Sequence, residues 1–121
     1  MGALIYGSPS IEIQFDDRLL AHVQIVMSAK LRRGENFFFS WRDAPAVGDG
    51  RSAIWIDPSI PMYFRYSGSR HPEIDREWLE QMAIAAASTH GLDLTEDSRL
   101  AGAHHHARYS SVKRKDRPLD D

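Results

Sequence analysis

The 121-residue chain contains no cysteine, three lysines and no apolar run longer than a handful of residues. Lack of cysteine excludes disulfides, thiolate metal sites and a cysteine nucleophile. Without a long apolar run no segment is expected to span a bilayer. The opening Met1–Tyr6 has neither a basic n-region nor a long apolar h-region, so a cytoplasmic protein with no membrane partner is expected. Also missing are Gly-x-Ser-x-Gly, a Gly-x-x-x-x-Gly-Lys phosphate loop and the Gly-x-Gly-x-x-Gly fingerprint. With 42% hydrophobic and 26% charged residues, the remainder has the composition of an ordinary globular protein.

Charge divides the chain. Residues 1–97 carry a net −5 and residues 98–121 a net +3, which together make the overall −2. The second stretch has Leu100, Val112 and Leu119 as its only large aliphatics. They bury too little surface to offset an ordering cost of about 1–2 kcal/mol per residue. A single α+β domain over 1–97, followed by a disordered, weakly basic tail over 98–121, is therefore expected.

Within 1–97 two periodicities alternate. Ala3–Tyr6 and the alternating Ile11, Ile13 and Phe15 predict a hairpin. Leu19, Leu20, Val23, Val26, Met27 and Leu31 recur at helical spacing. Asp16 or Asp17 caps the start of that helix, Lys30, Arg32 and Arg33 sit by its negative end, and Gly34 closes it. Strands follow at 36–41, 52–56 and 62–66. A second helix begins at Asp75, with Trp78, Leu79, Met82, Ala83 and Ala86 facing inward, and 92–94 returns as a short strand. The order is β-β-α-β-β-β-α-β. Two helices covering one face of a mostly antiparallel sheet would bury both stripes, an α+β layer architecture.

No catalytic constellation stands out. His104-His105-His106 lacks the spacing and the orienting carboxylate of a built site, so neither metal nor cofactor is expected. His22 lies beside the first apolar stripe and reads as a boundary or solvent-facing residue. Phe37, Phe38, Phe39, Trp41, Trp55, Tyr63, Phe64 and Tyr66 exceed what one buried face requires, which leaves Phe38, Trp55 or Tyr66 for an outward surface. Arg42, Arg51, Arg65 and Arg70 fall among these aromatics, and arginine beside aromatics suits nucleic acid. The net −5 opposes a polyanion unless the cations share one face. Lys113, Arg114 and Lys115 would be weak electrostatic helpers.

The runs Asp16–His22, Lys30–Glu35, Phe38–Trp41, Gly50–Ser52, Trp55–Pro61 and Trp78-Leu79 are similar to those of a family of roughly hundred-residue bacterial proteins of unknown function. Its members often bear the name ATP-dependent DNA ligase. The resemblance covers about residues 1–95 and implies at most a ligase-like or ligase-accessory protein. Ligases carry the attacking amine in Lys-x-Asp-Gly followed by Arg. Here Val47-Gly48-Asp49-Gly50-Arg51 puts valine at that lysine position, and valine cannot form the phosphoramide.

These readings converge on a compact, non-catalytic binding or accessory module. Its expected binding rim joins the end of the first helix to the Gly50–Pro61 segment through Arg32, Arg33, Arg51, Trp55 and Ser59. Nucleic acid and protein are the candidate partners, and the surplus aromatics also suit a homo-oligomeric structural protein.

Overall fold

A computed structural model describes residues 1–43, 48, 50–95 and a strand at 108–111. The elements run β1 (Gly2–Tyr6), β2 (Ile11–Phe15), α1 (Asp17–Arg32), β3 (Phe37–Arg42), β4 (Arg51–Ile56), β5 (Met62–Arg65), α2 (Arg76–Ala86), β6 (Leu92–Asp93) and β7 (Arg108–Ser111). Up to β6 this is the order expected, and the class is α+β. The strands divide between two small sheets, β5-β1-β2-β7 and β4-β3-β6. All pairs are antiparallel except β3–β6.

Local chemistry sets the helix ends. Asp16 caps α1 by accepting the Leu19 N–H, and Asp75 caps α2 by accepting from Glu77 and Trp78. Both satisfy donors that a helix start leaves without partners. Gly34, at φ +73°, turns the chain after α1 while its N–H reaches Leu31 O. Gly91 is more constrained. It has φ +75°, and a Cβ there would collide with the Phe38 carbonyl, so glycine is what lets β6 lie against β3.

The core lies where both helices meet both sheets. Leu4, Ile13 and Phe15 face Leu20, Val23 and Met27 of α1 and Phe39, Trp41 and Ile56 of the second sheet. From α2 come Trp78, Met82 and Ala86, while Ala83 is exposed. The Tyr6 hydroxyl ties the sheets together. It donates to Trp55 O at 2.9 Å and accepts the Asp57 N–H at 2.9 Å, so one phenol closes the end of β4 onto β1.

His22 departs from its sequence reading. It is fully buried, stacked on Trp78 with centroids 4.5 Å apart. Its Nδ1 lies 2.7 Å from Arg18 O, and its Nε2 accepts the Asp75 N–H at 2.9 Å. An accepting Nε2 requires the proton on Nδ1. The ring thus joins α1 to the start of α2, and both its nitrogens are satisfied. Neighbour spacing along one helix does not reveal a partner that arrives 53 residues later.

β7 pairs antiparallel with β2, Ile11 opposite Ser111 and Gln14 opposite Arg108. The sequence reading had no element there. Backbone pairing to the open side of β2 needs no apolar side chain, which is why hydrophobic periodicity gave no warning. The rest of the expected tail, including His104–His106 and Lys113–Lys115, lies outside the described residues, as does Val47. Among the described residues no helix is long and apolar enough to cross a membrane.

Candidate functional site

β3 and β4 form a two-stranded ribbon whose faces differ. Phe37, Phe39, Trp41 and Ile56 are buried. On the other face the register sets Phe38 opposite Trp55, Ser40, itself buried, opposite Ala53, and Arg42 opposite Arg51. The Asp43 N–H donates to Gly50 O at 2.8 Å, and 43 faces 50 in the same register. Since bonded and non-bonded pairs alternate, the three outer pairs are the non-hydrogen-bonded kind, whose side chains stand closest.

At one end of this face Phe38 and Trp55 meet edge to face, with centroids 4.9 Å apart. They are 47% and 49% exposed, a large apolar surface to leave in water. At the other end two guanidinium-bearing residues stand directly across the strands, an arrangement that destabilises an isolated sheet. Arg51 has no hydrogen-bond or ion-pair partner among the described residues, whereas Arg42 engages a neighbour. Four residues of strand separate the ends, roughly 13 Å.

Beside the aromatic end lies an open groove of about 500 Å³, bounded by the end of α1, the Phe38–Trp55 pair and the chain after α2. Its cations are already engaged. Lys30 donates to Ala86 O at 3.0 Å and pairs with Glu35 at 3.2 Å. Arg33 holds both Glu35 oxygens, at 3.0 and 3.3 Å. Those bonds, from Arg33 first and then Lys30, keep the Glu35 carboxyl below the usual carboxylate range.

The expected rim is brought together in part. Arg33 and Trp55 line the groove. Arg32 is exposed at the last turn of α1 but does not line it. Arg51 shares the outer face with Trp55 and sits at the opposite end of β4. Ser59 is engaged in a turn, its N–H and hydroxyl both donating to Asp57 Oδ1 at 2.9 and 2.8 Å. Those two bonds, against some desolvation, lower the Asp57 carboxyl from its ordinary value. Of the three aromatics expected on an outward surface, Phe38 and Trp55 are half-exposed, and Tyr63 of β5, which was not among them, is 60% exposed. Tyr66 is half-buried and donates to Gln24 Oε1 at 2.5 Å.

A second cleft, about 470 Å³, went unnoticed in the sequence. It runs between Ile25 of α1, Phe64 and Tyr66, and the loop of Arg70, His71 and Pro72. Only the return of a turn-rich loop onto α1 creates it, and no motif marks that return. No cluster of three or more potential metal ligands occurs among the described residues.

The chain belongs to a family described as a domain of unknown function, DUF7882, whose model matches residues 1–97. No curated protein and no solved structure matches it. The name ATP-dependent DNA ligase finds no support in these comparisons.

Proposed function

We propose that this member of the family is a non-catalytic binding module that holds single-stranded nucleic acid on the outer face of the β3–β4 ribbon. The observation that carries this reading is the face itself, with a half-exposed Phe38–Trp55 pair at one end and Arg42 facing Arg51 at the other. Bases of any identity stack on aromatic rings, and guanidinium groups neutralise the phosphates of the same strand. Arg42 already engages a neighbour, so Arg51, with no hydrogen-bond or ion-pair partner among the described residues, is the guanidinium left to meet a phosphate.

The test is binding of single-stranded oligonucleotides at low salt, read by gel mobility and repeated at rising ionic strength. Neutralising one phosphate at Arg51 gives a slope of log K against log salt near −0.7. Trp55→Ala should weaken binding by about tenfold, the loss of one stacked base. Arg51→Ala should flatten the salt slope by about 0.7, and Arg32→Ala should leave it unchanged. An undetectable complex at low ionic strength would overturn this reading. The second reading, a protein partner anchored on Phe38 and Trp55, is favoured by the net −5 of residues 1–97, which repels a polyanion.

A further inference from the structure

β4 has an open side. It lies at the edge of its sheet, paired with β3 alone among the described residues. Three bonds fix which backbone groups face which way. Asp43 N–H to Gly50 O shows that even-numbered residues of β4 bond to β3. Leu94 N–H to Ser40 O shows that even-numbered residues of β3 turn the opposite way, toward β6. The Tyr6 hydroxyl takes Trp55 O and the Asp57 N–H, so odd-numbered residues of β4 turn outward. The N–H and C=O of Arg51 and Ala53 and the N–H of Trp55 therefore line an edge. The Tyr6 hydroxyl bounds it at one end and the start of the strand bounds it at the other.

That edge has the usual protections only weakly. It contains no proline, no bulge and no inward-facing charge, and its one cation points to the outer face. Its centre is Ala53, the smallest outward residue. An antiparallel copy laid along it with the two-fold axis at Ala53 is self-complementary. Ala53 exchanges both backbone bonds with the partner's Ala53. The partner's Trp55 N–H meets Arg51 O, and the reverse holds by symmetry, while each Trp55 O stays with its own Tyr6 hydroxyl. On the outer face each Arg51 then stands opposite the partner's Trp55, the geometry of a cation–π pair. Shifting the copy by two residues breaks both matches, either by running the strand past the Tyr6 hydroxyl or by setting arginine against alanine.

We propose that two copies of this chain associate edge to edge through β4, joining their β4-β3-β6 sheets into one six-stranded sheet. The pairing is isologous, as a two-fold contact requires. It also alternates aromatic and arginine ends across the joint, which widens the outer face without depending on any ligand.

The test uses the full chain alone. The contact is small, so sedimentation velocity from micromolar to millimolar protein should show a monomer–dimer equilibrium with a dissociation constant on the order of 10–100 µM. Ala53→Pro removes only an outward N–H and leaves the ladder to β3 whole. It should weaken the dimer about tenfold or more while the circular dichroism stays unchanged. Ala53→Cys introduces a thiol into a chain that has none. The facing Cα atoms of a hydrogen-bonded pair lie about 5.5 Å apart, within disulfide reach. Mild oxidation should therefore link Ala53→Cys to itself and fail to link Arg51→Cys, whose copies stand roughly 13 Å apart. A monomer at every concentration, or a dimer in which Arg51→Cys cross-links as readily as Ala53→Cys, would overturn the proposal. Should Ala53→Pro fail to fold, the cross-linking comparison still decides.

Discussion

The two faces of the β3–β4 ribbon are built from similar residues and meet different fates. Inside, Phe39 stands 5.9 Å from Phe15 and 5.3 Å from Trp41, and Phe37 joins the same buried core with Lys30 over its ring. Outside, Phe38 and Trp55 meet edge to face and keep about half their surface in water. Packing accounts for the first set and leaves the second unexplained. An aromatic residue in a strand is therefore uninformative until its parity is known. The interior parity supplies stability, and the exterior parity is where a partner has room to act.

The sharpest way to break this contrast is to truncate one member of each set. Phe39→Ala should cost about 3–5 kcal/mol in denaturant unfolding, a fully buried ring replaced by a cavity. Phe38→Ala should cost about 1 kcal/mol or less. Equal losses would mean that the outer pair belongs to the fold rather than to a surface. His22→Leu extends the contrast to a polar interior residue. It strands the Asp75 N–H and loses the tie to α2, so unfolding should become easier by about 2–3 kcal/mol despite the greater apolarity of leucine.

The smallest effects concern pH and arise away from the ribbon. Some burial opposes ionisation of Asp17. The Ser67 N–H, Gly68 N–H and Ser67 hydroxyl outweigh it and hold the carboxyl below its usual range. The folded state is then favoured above the ordinary carboxylate range and loses that advantage as pH falls through the lowered value. Burial, with the Asp17 charge behind it, pushes the Tyr66 phenol up to about 12. Its contribution is complete below about pH 10, the ordinary tyrosine value, and is lost as pH rises through about 12. Unfolding followed at both extremes should show Asp17→Asn flattening the acid limb and Tyr66→Phe the alkaline one. Trp55→Ala, on the ribbon's outer face, should change neither.

Both helices, a cap at Asp16 or Asp17 for the first and at Asp75 for the second, and the strand alternation were legible because each depends on residues within a turn or two of chain. The outward parity of Phe38 and Trp55 followed from the same alternation, whereas Tyr66, also expected outward, is half-buried and Tyr63 is exposed in its place. What escaped was long-range. The division into two sheets, the pairing of β7 with β2 and the seat of His22 against Trp78 all depend on segments distant in sequence. The arginines show the limit most clearly. Arg51 was grouped with Arg32 and Arg33 by charge, but strand register pairs it with Arg42 and puts the length of β4 between it and Trp55. Ser59 suffered similarly, because an Asx turn on Asp57 had already claimed both of its donors.

The unequal burial of the three indoles has a practical side. Trp41 is 1% exposed and Trp78 is 7% exposed, against 49% for Trp55. Iodide or acrylamide added to the native protein will reach a single emitter. The quenchable share of the fluorescence then belongs to the ribbon's outer face, and its loss on titration reports occupancy there without an added label.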